Sequence, residues 1–315
     1  MGWTRNNHFS QGLIPGRVRP FATIFEDVKG AGQMEAGIIE KRIQKPRCTI
    51  HITIDHFNKR IRVDDYLGHF QECVEESLKV AKSISAEKII FKSRKENVMA
   101  LLAQGFLYEG SIDKFFLGSD CFFLVKYNRN ERRNSAEWEK EDQILSDVQS
   151  LPIKSGIDDP PSAYQGRKAE VTDALQLAQL YGKVFEVYPT PMNDPVYVKK
   201  CMEMGTVFYI YVHEERIVSA ASAEIDSFYH NAEITDCATL PEHRQYGLMK
   251  HLIFALEDYL ISHGIYCIYS IARSLSFGMN AALHQHGYSY RGRLANNCYI
   301  FDKMEDMNLW VKNFT

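Results

Sequence analysis

The seven cysteines of this chain (48, 73, 121, 201, 237, 267 and 298) include no C-x-x-C pair. Their number is odd and their spacing wide, so neither a zinc or redox motif nor a disulfide framework is supported, and reduced thiols are expected. The chain also lacks any apolar run of the ~18–20 residues that a membrane span needs. Its first residues, "MGWTRNNHFSQGLIPGRVRPF", contain no signal-peptide core. Asn6 stands where a myristoylation signal has Ser or Thr. An excess of one charge is missing as well. The 37 basic and 40 acidic residues give a formal net charge of −3, which offers no electrostatic footprint for nucleic acid. The expectation is a cytoplasmic protein with neither a membrane nor a nucleic-acid partner.

What is present is enough apolar material for real cores, 45% hydrophobic in 315 residues, and two domains are the first expectation for that length. About 45 leading residues lack periodicity and read as an irregular arm. "RCTIHITID" (47–55) and "KRIRVDDY" (59–66) read as a hairpin. A helix follows over 68–84, then a buried strand "EKIIFKS" (87–93) and a helix 95–105 stopped by Gly105. Between about 127 and 167 the composition turns charged and then turn-rich, predicting a linker with one solvated helix around 135–149. The boundaries are therefore 1–134, 135–167 and 168–315.

The second half predicts a helix over 170–186, a break at "YPTPMNDP", and a short helix "VYVKKCMEM". A hairpin over 206–225 and a strand "AEITDCATL" (232–240) come next. "PEHRQYGLMKHL" leads into a helix of about 247–263, striped by Leu248, Leu252, Leu256 and Leu260 and ended by Gly264. "YCIYSIA" (266–272) is apolar on both alternations, as a central strand covered on both faces would be. A helix "FGMNAALHQHG" and closing strands "YSYRGRL" and "NNCYIF" finish the chain. The fold class is α/β (α+β), with a mixed central sheet flanked by helices.

An echo links the halves. "EKIIFKSR", a helix, "GFLYEG" (105–110) and "CFFLV" (121–125) are matched by "YCIYSIAR", a helix, "GYSYRG" (287–292) and "CYIF" (298–301). Two copies of one α/β half-module are expected.

Gly247 permits a backbone conformation that a Cβ would obstruct. The first amides of the helix after it have no intrahelical acceptor and sit at the positive end of its dipole, where Arg244 adds charge. Arg-x-x-Gly alone is also ordinary turn chemistry; its setting between a strand and an amphipathic helix favours an anion site.

In that setting residues 170–315 resemble the Gcn5-related N-acetyltransferases (GNAT). Their Q/R-x-x-G-x-G/A turn, which holds the pyrophosphate of coenzyme A, is similar to Arg244-Gln245-Tyr246-Gly247-Leu248-Met249, with Met249 in place of the last Gly or Ala. "LYGKVFEVYPTPMNDPVYV", "RQYGLMKHL", "FGMN", "GYSYRGRLANNCYIF" and the N-terminal "IDHFNKRIRVDDYLG" resemble the β-lysine N-acetyltransferases over most of the chain. This resemblance implies a GNAT fold preceded by an extra N-terminal domain. It also implies transfer of acetyl from acetyl-CoA to the N6 amine of L-β-lysine. Another small amine, an amino acid or a protein lysine is the alternative acceptor, and a catalytically silent coenzyme A-binding module is the third reading.

An alkylammonium ionises near 10.4 in water and must lose a proton before it attacks a thioester. Strand alternation puts Glu233 and Asp236 on opposite faces unless a bulge intervenes. In part of the family the base is a glutamate eleven residues before the turn, and Glu233 lies eleven before Arg244. The resemblance thus makes Glu233 the general base and Asp236 a second base or an ammonium anchor. It assigns the backbone of Cys237, Ala238, Thr239 and Leu240 to the pantetheine arm and the turn with Lys250 to the pyrophosphate. Asn280 is placed near the cofactor, and Tyr188 and Asp194 beside the acceptor. Cys237 is not expected to act as a nucleophile. The family's acid tyrosine is replaced by Leu283, leaving His284 or Tyr288 as substitutes, or unassisted departure of the thiolate. The first half has no R-x-x-G turn. It is expected to be a degenerate copy with a structural or dimerising role, so that a homodimer and one coenzyme A per chain are anticipated.

Overall fold

A computed structural model describes residues 37–153, 156 and 159–314. Among the described residues, thirteen strands form one mixed sheet, in the order β1-β2-β3-β4-β6-β5-β12-β13-β11-β10-β9-β8-β7. The first half supplies β1 (Ile38–Gln44), β2 (Cys48–Asp55), β3 (Arg60–Gly68), β4 (Lys88–Ser93), β5 (Leu107–Phe116) and β6 (Ser119–Tyr127), with α1 (Phe70–Ser83) and α2 (Val98–Ala103). Helices α3 (Asn130–Arg133) and α4 (Trp138–Gln149) follow. The second half holds β7 (Gln165–Lys168), α5 (Ala174–Val184), α6 (Pro195–Glu203), β8 (Val207–His213), β9 (Arg216–Asp226) and β10 (Asn231–Thr239). It ends with α7 (Leu248–Ser262), β11 (Cys267–Arg273), α8 (Phe277–Gln285), β12 (Ser289–Ile300) and β13 (Lys303–Asn313).

The predicted repeat is present in the strand order and register. β3 and β4 run parallel with Arg60 opposite Lys88, and β10 and β11 run parallel with Asn231 opposite Cys267. The β5–β6 ladder shifts register between Tyr108 and Gly110, and the β12–β13 ladder shifts at the corresponding place between Tyr290 and Gly292. Gly105 and Gly287 both take positive φ (82° and 84°) at the ends of α2 and α8. The two copies meet at the last glycine of the echo, since Gly110 pairs with Gly292 to join β5 to β12. A Cβ on Gly292 would lie 2.1 Å from the Glu109 carbonyl oxygen, so the backbones touch as only glycine permits.

Three expectations are corrected. The arm contains β1, an edge strand with mostly exposed side chains, whose backbone pairing with β2 leaves no alternating pattern in the sequence. The partner of "CFFLV" in the repeat is β13, whose polar Glu305, Asp306 and Asn308 are buried and mask its period; "CYIF" is the end of β12. The linker helix α4 is not merely solvated, because Ile144, Leu145 and Val148 pack into the core beneath α7 and α8. The irregular residues before 37 lie outside the described part.

Each half covers one sheet face with its own helices. Ile61 and Val63 of β3 pack against Val74 and Ala81 of α1, and Ala232 and Ile234 of β10 against Leu252 and Leu256 of α7. The other faces meet each other. Ile90, Phe115, Phe116 and Phe123 of the first half share a buried cluster with Tyr229, Tyr269, Leu294 and Leu309 of the second. Burial of this apolar surface, at roughly 25 cal/mol per Å², holds the halves together, aided by polar ties. Tyr229 Oη donates to Asp65 (2.5 Å), Asn231 Nδ2 to the Phe115 carbonyl (3.0 Å), and buried Lys88 Nζ to the Ala295 carbonyl (2.7 Å).

Candidate active site

Glu233 lies on the β10 face turned away from α7 and toward the first half. Its neighbour Ala232 packs under α7, and its cross-strand partners are Glu224 on β9 and Tyr269 on β11. Asp236 would point the other way in a regular strand. It does not, because β10 bulges between Thr235 and Ala238 and Asp236 takes φ +49°. Its carboxylate reaches the Glu233 face, where Ser222 Oγ donates to Oδ2 (2.6 Å) and Tyr188 Oη to Oδ1 (3.1 Å). Tyr181 Oη donates to the Asp236 carbonyl (2.8 Å) and fixes the distorted backbone. The bulge thus gathers Glu224, Glu233 and Asp236 on one face.

Setting the less solvated Glu233 and Asp236 beside the exposed Glu224 carboxylate has a predictable result. Burial, and then the Glu224 charge, push Glu233 up to about 7, against a lowering influence of Lys92 and Arg62. Burial and Glu224 also push Asp236 up to about 7, partly offset by the Ser222 and Tyr188 hydrogen bonds. Both oxygens of Asp236 are engaged, while no hydrogen bond or ion pair holds the Glu233 carboxylate among the described residues. Of the two, Glu233 has the free oxygens that a proton acceptor requires.

β10 and β11 pair only over residues 231–233 and 267–269, then diverge. Ser270 Oγ donates to the Ile234 carbonyl (2.7 Å) at the fork. Beyond it, Cys237, Ala238, Thr239 and Leu240 continue as β10 and its exit without a β11 partner, a backbone edge of the kind an extended arm adds to. Ala238 is buried, Thr239 Oγ1 bonds Ser219 Oγ (2.7 Å), and burial pushes the Cys237 thiol far up, as suits an inert cysteine.

The opposite end of this edge is the turn. Residues 241–246 form a tight 3-10 turn, Gly247 takes φ +68° with open space where a Cβ would stand, and α7 starts with no side-chain cap. The Lys250 amide donates to the Gly247 carbonyl (3.0 Å), while the Leu248 and Met249 amides precede any acceptor within the helix. Exposed Arg244 is anchored through Nε to the Thr239 carbonyl (3.1 Å), directing its terminal nitrogens outward beside exposed Gln245. Tyr246 packs on Tyr164 (centroids 5.0 Å apart) and Lys250 Nζ donates to Gln285 Oε1 (2.6 Å). Leu248 enters the core and Met249 packs on its border, so the side chain that replaces the small residue turns into the protein. An open helix end, a cation and a free strand edge fit a pyrophosphate followed by an extended arm.

Other candidates fall elsewhere. Asn280 is fully buried. Its Nδ2 donates to the Arg273 and Ser276 carbonyls, and its Oδ1 accepts from Asn308 Nδ2 and Trp310 Nε1, so it locks α8 to β13 and has no group to offer a ligand. Exposed Asp194 caps α6, accepting from the Val196 amide (2.8 Å). His284 Nε2 donates to the Leu151 carbonyl (3.0 Å), and Tyr288 is buried in the core on the α7 side. Clefts of about 410 Å³ around Arg94 and Phe116 and about 460 Å³ around Tyr108 and Trp138 contain neither Glu233 nor Asp236. Charge and hydrogen bonding locate this site better than void volume.

The acetyltransferase (GNAT) family profile matches residues 174–288. The chain is 41% identical over 272 residues to the N-acetyltransferase YodP of Bacillus subtilis, covering 86% of this chain and 98% of that one. It is 33% identical to the β-lysine N(6)-acetyltransferase of Methanosarcina mazei (79% and 99% covered) and 32% identical to that of Methanococcus maripaludis (83% and 95%). The chain belongs to the β-lysine N-acetyltransferase family, within the GNAT acetyltransferases. As a GNAT acetyltransferase it is an acetyl-CoA-dependent enzyme that acetylates an amine. Its mixed sheet flanked by helices is the GNAT fold, with the family profile lying in the second half.

Sequence reasoning missed Glu224 and Ser222 on β9. A detectable signal was their spacing of two, which puts both on one strand face. It also missed Arg62, Asp64 and Lys92, although charges at 60, 62 and 64 alternating with apolar 61 and 63 mark a polar face that a second layer has to cover.

Proposed function

We propose that this enzyme transfers the acetyl group of acetyl-CoA to the N6 amine of L-β-lysine. Acetyl-CoA supplies the activated thioester carbonyl. Glu233, half ionised near neutral pH, accepts the proton that the ammonium must lose before its nitrogen attacks. Asp236, held by Ser222 and Tyr188 and half ionised near neutral pH like Glu233, lies beside the acceptor and retains the ammonium. The turn of residues 244–250 and the free edge of β10 take the pyrophosphate and pantetheine, and a backbone amide of that edge faces the carbonyl oxygen as charge develops. The liberated thiolate, with an ordinary pKa near 8.5, departs without a dedicated acid; neither His284 nor Tyr288 is called upon.

The observation that carries this reading is the carboxylate set of Glu224, Glu233 and Asp236 on one face, which suits a dicationic acceptor. Its substrate is favoured by two β-lysine N(6)-acetyltransferase relatives that align along nearly their whole lengths. The test is acetyl-CoA consumption with L-β-lysine, α-lysine, spermidine and a lysine peptide. A kcat/KM at least tenfold higher for β-lysine is expected. Preference for another acceptor would replace the substrate while leaving the chemistry. Coenzyme A binding with no transfer to any amine would overturn both.

A further inference from the structure

The wall facing Glu233 comes from the other half of the chain. The repeat makes this geometric, because the matching registers of β3–β4 and β10–β11 put Arg62 at the place in the first half that Glu233 holds in the second. The two equivalent faces then meet across the shared cluster. Lys92, on the same face of β4 as Ile90, lies with Nζ 5.2 Å from the Phe115 ring centroid. That ring is 5.8 Å from Tyr269, which sits beside Glu233 in the sheet.

Both cations hold the same oxygen. Arg62 Nε is 2.5 Å and Lys92 Nζ 3.1 Å from Asp64 Oδ1, while Thr53 Oγ1 donates to Oδ2 (2.6 Å). One carboxylate against two cations leaves this wall with a net positive charge. Arg62 commits only Nε to Asp64 among the described residues, so its two terminal nitrogens are available. These side chains keep contact with solvent, 38% for Arg62, 26% for Asp64 and 14% for Lys92. The charges of Arg62 and Lys92 act on the Glu233 carboxylate, so this wall faces the strand surface that carries Glu224, Glu233 and Asp236.

We propose that Arg62 and Lys92 form the subsite for the carboxylate of an amino-acid acceptor, so that the first half of the chain supplies half of the acceptor site. This deepens the β-lysine reading and rests on it. The ammonium groups of a diamino acid meet the carboxylates of β9 and β10. Its carboxylate meets the guanidinium edge of Arg62 and the ammonium of Lys92, whose charge-assisted hydrogen bonds exceed neutral ones in strength. Arg62 and Lys92 are specificity-determining residues, and an amine without a carboxylate gains nothing from them.

The experiment compares L-β-lysine with 1,4-diaminopentane, the same diamine without its carboxylate, in the full-length wild-type enzyme and in Lys92→Met and Arg62→Met. At a pH high enough to ionise Glu233 in every variant, Lys92→Met is expected to lower kcat/KM for β-lysine at least tenfold, through KM, and for 1,4-diaminopentane less than twofold. The KM for acetyl-CoA should hold, and Lys92→Arg should restore most of the loss. Equal losses on both amines, or a wild-type enzyme indifferent to the carboxylate, would overturn the proposal. If Arg62→Met does not fold, Lys92→Met and Arg62→Lys carry the comparison. If wild-type enzyme ignores β-lysine but acetylates α-lysine, the substrate reading fails separately, and the subsite is decided by the same variants on α-lysine against 1,5-diaminopentane.

Discussion

The two halves share a chain path and differ where chemistry would occur. In the second half, α7 begins at Gly247 with no side-chain cap and no acid in its first turn. In the first, α1 begins after His69, whose ring accepts from the Glu72 amide, and Glu72 itself occupies the first turn. An anion is welcome at one helix end and opposed at the other. The fork between diverging strands differs too. Where the second half has Cys237, the first has Tyr66, whose hydroxyl accepts from the Arg94 amide (3.3 Å) and Asn97 Nδ2 (3.0 Å) and whose ring packs on Phe91. Tyr66 fills the gap that the second half leaves open. Finally, Arg62 replaces Glu233 and Thr53 replaces Glu224. The two halves keep the same sheet path, and a few side chains give them different helix ends and opposite charges at matching positions.

The largest expected effect separates the equivalent positions of the sheet. Glu233→Gln should lower kcat by about 10²–10⁴-fold, the usual range for a general base, with the KM for acetyl-CoA changed less than twofold; steady-state kinetics reading equal turnover would remove Glu233 from the mechanism. Next come the two helix starts. Gly247→Val should raise the KM for acetyl-CoA by roughly tenfold, because a β-branched residue resists φ +68° and crowds the open helix end. Gly68→Ala should leave that KM alone and instead destabilise the fold, since its Cβ would sit 2.2 Å from the Arg47 carbonyl oxygen. Calorimetry should count one coenzyme A per chain, and two would break the contrast.

A smaller effect tests the seam. Gly292→Ala should cost about 3 kcal/mol or more in denaturant unfolding, from a 2.1 Å backbone overlap. Gly110→Ala, whose closest contact would be 3.0 Å, should cost distinctly less. The smallest effect is on pH. Glu233 titrates near 7 when folded and near about 4.3 in an unfolded chain. Folding therefore favours its protonated form, and that stability, full below about pH 4, is lost as pH rises through about 7. Glu233→Gln should match wild-type stability at pH 4–5 and exceed it at pH 8 by on the order of 1–3 kcal/mol. Wild-type kcat/KM should climb over the same interval as Glu233 and Asp236 ionise.

Much of this was legible in order along the chain. The leucine stripe of α7, the turn at Arg244–Gly247, the hairpin of β8 and β9 and the Gly-aromatic echo are local patterns, and each has its expected place in the fold. β1 and β13 were not legible, because an exposed edge strand and a strand with buried polar residues carry no alternation. Asn280 looked available because an isolated helix would expose it. Packing against Asn308 and Trp310, distant in the chain, uses all of its hydrogen bonds.

By itself the sequence determined which residues can line a helix stripe, stand at a turn or alternate on a strand, since those properties depend on neighbours a few positions away. It also determined that Glu233 precedes the turn on a strand. Only the tertiary structure decided that Asp236 shares the Glu233 face, because a bulge held by Tyr181, Tyr188 and Ser222 reverses its alternation. Only the tertiary structure set Arg62 and Lys92 across from Glu233, because local periodicity says which face a side chain occupies and says nothing about which other face will be folded against it.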